Sequence, residues 1–272
     1  MSTPTFIAAC IQNSATSDVD HNIDVASRLI RQAAKNGARF IATAEYFSGL
    51  TTKDGLFQPA AFVEDNHPVL KAFSALAAEL KCWLLLGSIG VLTADGRINN
   101  RSCMIGADGQ LTASYNKVHL FDVNLNGVAY RESATIAAGD KAVVVKTPFA
   151  NVGLSICYDL RFGALYRSLA QQGADILATP AAFTKVTGEA HWHVLQRARA
   201  IENGAFVLAP CQYGEIEGGG ECFGHSMIVD PWGEVLADGG EGEGVVMAEI
   251  DMAKAQEARG RIPSLTHDVD FS

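Results

Sequence analysis

The spacing of apolar positions along this chain switches repeatedly between two periods, and each switch marks the end of one element and the start of another. Short apolar runs at residues 5–12 and 38–43 predict strands. Between them Ile23, Ala26, Leu29, Ile30 and Ala33 recur at helical spacing, from Asp20 until Asn36-Gly37 stops the pattern. The chain therefore opens β-α-β. Leu70, Phe73, Leu76, Ala77 and Leu80 predict a second helix, and the nearly continuous apolar run 82–91 predicts a strand buried on both faces. Turn signals at Asp95-Gly96 and Asp108-Gly109 bracket residues 102–105, and residues 111–115 follow as the partner in an antiparallel hairpin.

The polar, Gly-containing segment 122–139 predicts a long loop, a length that in a compact domain usually serves function. Strands are predicted at 143–147 and 151–156. The second, carrying Val152, Leu154 and Ile156, ends in Cys157, and a helix over 164–172 follows at once. That is a strand-to-helix elbow, which should display its thiol at the surface. Beyond it come a strand at 174–179, a loop at 181–188 and a helix at 189–203 whose Val194, Leu195, Ala198 and Ile201 are expected to face inward. A strand at 205–210, a mobile or tightly turned Gly218-Gly219-Gly220, and a hairpin of 226–229 with 233–236 around Asp230-Pro231-Trp232-Gly233 complete the pattern. Residues 244–250 form a last strand, and Asp251 caps a short helix to Arg259. The tail, about 260–272, lacks a core pattern and is expected to dock on a partner subunit. With no repeat and no linker-like shift in composition, residues 1–272 are expected to form one α/β domain.

Composition narrows the function. A hydrophobic fraction of 48% with 19% charged residues fits a soluble, enzyme-sized globular protein, and a net charge of −9 without a Lys/Arg cluster argues against nucleic acid or membrane as a partner. The first residues, Met1 to Thr5, carry no positive region, and 6–11 is too short an apolar stretch for a signal or a span, so a cytoplasmic location is expected. The six cysteines lack ligand spacing, and His191 and His193 point to different faces of a helix, so no metal site and no cofactor are expected.

Three reactive side chains stand at or just past predicted strand ends: Glu45, Lys117 and Cys157. Each alone has an ordinary reading, as a solvated acid, a snorkelling lysine and a small buried hydrophobe. Strand ends are also where sites in α/β proteins gather. A thiol at such an elbow has backbone N–H groups beside it that can hold an oxyanion, Tyr158 N–H being the natural donor. A carboxylate beside it could act as its base.

The segments Ala44-Glu45-Tyr46-Phe47, Tyr115-Asn116-Lys117-Val118-His119-Leu120, Arg131-Glu132-Ser133 and Gly153-Leu154-Ser155-Ile156-Cys157-Tyr158-Asp159 together resemble the nitrilase superfamily of carbon–nitrogen hydrolases, in order and over nearly the whole chain. The resemblance implies an α-β-β-α four-layer sandwich, a Glu-Lys-Cys triad at Glu45, Lys117 and Cys157, and a supporting Glu132. It also implies a homodimer or larger homo-oligomer joined through helical faces. Cys157-Tyr158-Asp159-Leu160-Arg161-Phe162 is similar to the Nit-type amidase branch, which implies a small carboxylate-bearing amide as substrate, such as deaminated glutathione or the ω-amide of an α-keto acid. Hydrolysis would run through a thioester with release of ammonia. Arg161 could grip the carboxylate, and Phe183, Thr184 and Thr187 could wall the pocket. A nitrile-cleaving relative and a catalytically silent interaction module on the same fold are the competing readings.

Overall fold

The computed structural model describes residues 4–53, 56–125 and 127–269. Two sheets carry the architecture. The first runs, in spatial order, Ile136–Ala137, Ile98–Ile105, Trp83–Leu92, Ala38–Ala42, Thr5–Gln12 and Gly244–Asp251, with Leu111–Asn116 also paired to Ile98–Ile105. The second runs Val143–Lys146, Asn151–Leu154, Ile176–Ala178, Phe206–Ala209, Met227–Val229 and Val235–Asp238. Among the described residues five α-helices flank them: α1 (Val19–Lys35), α2 (Pro68–Leu80), α3 (Gly163–Gln171), α4 (Lys185–Asn203) and α5 (Ala253–Arg261).

Strand alternation explains the layering. In Thr5–Gln12, Ala8 and Cys10 join a core shared with the second sheet, whereas Ala9 and Ile11 join a core shared with α1 and α2. The same split separates Phe40 and Ala42 from Ile41, and Leu85 from Leu84 and Leu86. Leu169 on α3 and Trp192 on α4 cover the second sheet from its other side. The result is the expected α-β-β-α sandwich. Both central layers are apolar on two faces because each sheet has helices behind it and a sheet in front.

Three local expectations need correcting. Segment 122–139 is not a structureless loop: Asp122–Leu125 and Val128–Arg131 pair as a hairpin, and a short turn, Glu132–Ala134, follows before Ile136–Ala137 joins the first sheet. The Asn124 carboxamide, accepting from Gly127 N–H at 3.1 Å, builds the reversal. Helix α4 begins at Lys185, so the preceding loop is four residues shorter than the polar run suggests. Val194 and Ile201 point outward, at 67% and 51% exposed, and Leu195 and Ala198 are only partly covered. Trp192, Gln196, Arg199 and Ala200 face inward instead. Arg199 can be buried because its guanidinium donates twice to Leu160 O, at 3.0 and 2.8 Å, which satisfies charge that the hydrophobic count alone would send to solvent.

The Gly218-Gly219-Gly220 segment is a tight reversal between Tyr213–Glu215 and Glu221–Phe223, all three glycines having positive φ. Asp251 accepts from Ala253 N–H at the start of α5, at 2.9 Å. The described part of the tail lies on its own chain: Arg167 on α3 pairs with Asp268 and donates to Ser264 O, and Ser264 Oγ donates to Glu202 O at 3.3 Å. Residues 1–3 and 270–272 lie outside the described residues.

Candidate active site

The site is assembled where segments leave the inner ends of strands from both sheets. Glu45 follows Ala38–Ala42, Lys117 follows Leu111–Asn116, and Cys157 follows Asn151–Leu154. Gly87 on the neighbouring strand makes the first approach feasible: a Cβ there would stand 1.9 Å from Thr43 O and 2.6 Å from Pro180 Cβ.

Cys157 has φ 48°, a left-handed conformation that a side-chain-bearing residue adopts at a cost of order 1–3 kcal/mol and that collects at functional elbows. The strain is held from several directions. Cys157 N–H donates to Pro180 O at 2.9 Å, and the Asp159 carboxylate accepts from Ile156 N–H at 2.9 Å. The first bond inside the following turn runs from Asp159 N–H to Ile156 O, so Tyr158 N–H precedes the turn's own ladder. Contrary to the expectation of a displayed thiol, Cys157 is only 8% exposed, because the elbow tucks beneath the pocket walls.

Buried charges surround the sulfur. Lys117 Nζ donates to Glu45 Oε1 at 2.9 Å and to both Glu132 oxygens at 3.0 Å. Glu45 is further fixed by Ala182 N–H on Oε2 and by the Asn100 carboxamide on Oε1, each at 2.8 Å. Glu132 also takes Phe121 N–H at 2.6 Å.

These surroundings set protonation. Burial opposes the Lys117 charge, but Glu132 and Glu45 outweigh it, so the ammonium is held well above its ordinary 10.5. Burial pushes Glu132 up, against the lowering by Lys117. Burial first, and then the charge of Glu45, push the Cys157 thiol well above 9.0, against the lowering by Lys117. These surroundings favour the neutral thiol over the thiolate at Cys157.

The pocket above these groups is walled by Tyr46, Phe57, Phe121, Tyr158, Phe183 and Thr187, with Thr184 also on its lining. Arg161 does not reach the lining; its guanidinium lies over the rings of Phe183 and Tyr158, 5.4 and 5.9 Å from their centroids. Sequence reasoning missed two residues. Asn100 clamps Glu45 from a strand, with no motif to mark it. Tyr46 is 2% exposed, yet among the described residues its hydroxyl has no partner, and it stands in the pocket. Its signal was local, since it follows Glu45 directly.

Among the described residues no helix is long and apolar enough to cross a membrane, which leaves β-barrel spans unaddressed.

An α-β-β-α sandwich with a thiol, a carboxylate and an ammonium meeting at strand ends defines a hydrolase-like class, and the carbon-nitrogen hydrolase family model matches residues 7–260. The chain belongs to that family. It is 40% identical over 269 residues to the deaminated glutathione amidase of Synechocystis sp., covering 97% of this chain and 98% of that protein. It is 37% identical to the omega-amidase NIT2 of Homo sapiens, covering 95% and 93%. Among solved structures, Saccharomyces cerevisiae Nit3, a nitrilase-superfamily member, superposes with TM-score 0.85 at 29% identity over 97% of each chain. The C. elegans NitFhit protein superposes with TM-score 0.89 at 33% identity over 98% of this chain, which spans only 66% of NitFhit.

Proposed function

We propose that this chain is a single-domain, cysteine-dependent amidase that hydrolyses the carbon–nitrogen bond of a small carboxylate-bearing amide and releases ammonia. The observation that carries the reading is the meeting of Glu45, bonded to Lys117 at 2.9 Å, with Cys157 in the lining of one pocket. Relatives named deaminated glutathione amidase and omega-amidase, matched along nearly their full lengths, support the choice of substrate class.

In this mechanism the Cys157 proton passes to Glu45 as sulfur attacks the amide carbonyl carbon. All three Lys117 N–H groups are engaged at rest, so one turns from Glu132 to the oxyanion, joined by Tyr158 N–H. Collapse breaks the carbon–nitrogen bond, and Glu45 returns the proton to nitrogen, which leaves as ammonia. Water, deprotonated by Glu45, then attacks the thioester; the carboxylic acid departs and the thiol is restored. Glu132 keeps Lys117 charged and aimed. Arg161 attracts the substrate carboxylate at the pocket mouth, and Phe183, Thr184 and Thr187 shape the wall.

The reading extends to assembly and location. Val194, Ile201 and Trp232 form exposed apolar positions on and beside α4, suited to association of two copies through this helical face. Six free cysteines, all buried, suit the reducing cytosol. Light scattering tests the first point, and fractionation of the native host the second.

The activity test is ammonia release from deaminated glutathione, α-ketoglutaramate, neutral amides and nitriles, with Cys157→Ala as control. Turnover of the carboxylate-bearing amides, absent in Cys157→Ala, is the expected result. Preference for nitriles, or undiminished turnover without the thiol, would overturn the assignment.

A further inference from the structure

Behind the wall that Phe183 forms, three chain segments bring together side chains that the reaction does not use. His193 on α4 places Nε2 2.7 Å from Asp238 Oδ2, and His225 places Nδ1 3.0 Å from Asp238 Oδ1. One ligand atom from each of the three residues lies within 4.8 Å of the other two. Local sequence pairs His193 with His191, a useless partner on another face of the helix; the fold pairs it with residues 32 and 45 positions away.

We propose that His193, His225 and Asp238 bind one transition-metal dication of the zinc class, bracing α4 against the end of the Met227–Val229 and Val235–Asp238 hairpin. Two imidazoles and a carboxylate form a three-ligand set that suits zinc and leaves a fourth position for water. A tetrahedral zinc with bonds of about 2.0–2.1 Å spaces its ligand atoms about 3.3–3.4 Å apart. The nitrogen–oxygen distances here, 2.7 and 3.0 Å to the two carboxylate oxygens, would open by about 0.3–0.7 Å to reach that spacing. The side chains are 38%, 25% and 29% exposed, so an ion and its water can enter from solvent.

The ligands are held before any ion arrives. His225 sits at φ 52°, and its backbone is fixed at both ends: its N–H donates to Gly240 O and its carbonyl accepts the Trp192 indole N–H, each at 2.8 Å. Phe223 stacks on the His225 ring with centroids 4.4 Å apart. Gly240 N–H donates to Asp238 Oδ1 at 2.8 Å. Such supports orient metal-binding imidazoles and carboxylates, and a bare trio of hydrogen-bonded surface groups has no need of a strained backbone.

Equilibrium dialysis of the full-length protein against micromolar Zn²⁺, with metal content by elemental analysis, tests the site. Cys157→Ala runs alongside because the pocket thiol is the obvious competing ligand. The expected result is one zinc per chain in wild type and in Cys157→Ala, with affinity lowered more than about tenfold in His193→Ala and in His225→Ala. Asp238→Asn, which keeps an oxygen for Gly240 N–H, guards against a folding defect and should also lose zinc. Thermal unfolding should shift upward by about 5 °C at a hundredfold excess over Kd in wild type, and not in the histidine variants. Co²⁺ substitution should give d–d absorption without a sulfur charge-transfer band. Zinc retained by both histidine variants, zinc lost with Cys157, or no zinc bound at all would each overturn the proposal.

Discussion

Asp159 fastens His119 to the nucleophile's turn: one carboxylate oxygen accepts the His119 backbone N–H at 3.0 Å and lies 2.7 Å from its ring Nδ1. The other oxygen accepts the Tyr115 hydroxyl at 2.6 Å and Ile156 N–H at 2.9 Å. Residues flanking Lys117 are thereby joined to the residue preceding Cys157. Asp159→Asn keeps the shape but turns one of these acceptors into a donor, so the elbow and the lysine segment should drift apart. A displacement near 1 Å costs about a hundredfold in rate. The expected outcome is a kcat lowered by roughly that factor with KM little changed, measured by steady-state ammonia release.

Glu45 has two opposite effects on the sulfur. After burial, its charge raises the Cys157 pKa most, yet under the mechanism above it is also the base that removes the proton. Glu45→Gln should therefore lower the pH midpoint of Cys157 alkylation while amide turnover falls by about 10²–10⁴. Rates of iodoacetamide labelling against pH, set beside ammonia release, check both halves. A midpoint that moves up would contradict the electrostatic assignment.

Lys117 is the cation that lets two carboxylates share a buried site. Lys117→Met leaves Glu45 and Glu132 uncompensated, a change that typically costs about 3–5 kcal/mol. The pH dependence of stability should change with it. In wild type the Lys117 pKa is raised on folding, so its contribution is complete below the unfolded value near 10.5 and is lost as pH rises beyond it. In the variant, Glu132 loses the neighbour that lowers its pKa while burial still raises it. A carboxyl raised on folding favours the folded state at low pH, so Lys117→Met should lose stability as pH rises above about 4.5, the ordinary value. Melting curves across that range, compared with wild type, test the sign.

The fold was legible in the sequence wherever apolar period decided position. The strands at 5–12 and 82–91 and the elbow at Cys157 lie close to where the pattern puts them, because strands buried on both faces have little freedom in composition. The pattern failed where polar groups are buried in pairs. Arg199 takes an inward place on α4 by bonding Leu160 O, which turns Val194 and Ile201 outward. Asn100 at Glu45, and the meeting of His193 with Asp238, depend on contacts between distant segments that no local spacing records. Hairpin 122–131 escaped notice because its strands are only four residues each and the residues whose burial is described are exposed or half-buried.

Under the proposed function, Arg161 and Tyr46 would divide substrate recognition between charge and hydrogen bonding. Arg161 lies over Phe183 and Tyr158, outside the pocket lining, so it should act on a carboxylate that projects from the mouth. Arg161→Ala is expected to raise KM for carboxylate-bearing amides about tenfold or more, the scale of one charge-assisted hydrogen bond, and to leave neutral amides nearly unaffected. Tyr46 differs because its buried hydroxyl has no partner among the described residues. An unsatisfied buried group destabilises the free enzyme, so Tyr46→Phe should keep or raise the melting temperature. If the hydroxyl contacts the substrate, the same variant should lose kcat/KM on charged and neutral amides alike. Kinetics of both variants on a matched pair of amides, one with and one without the carboxylate, separate the two roles. Equal losses on both amides for Arg161→Ala would remove it from carboxylate recognition, and unchanged kinetics for Tyr46→Phe would leave its hydroxyl without a substrate to bind.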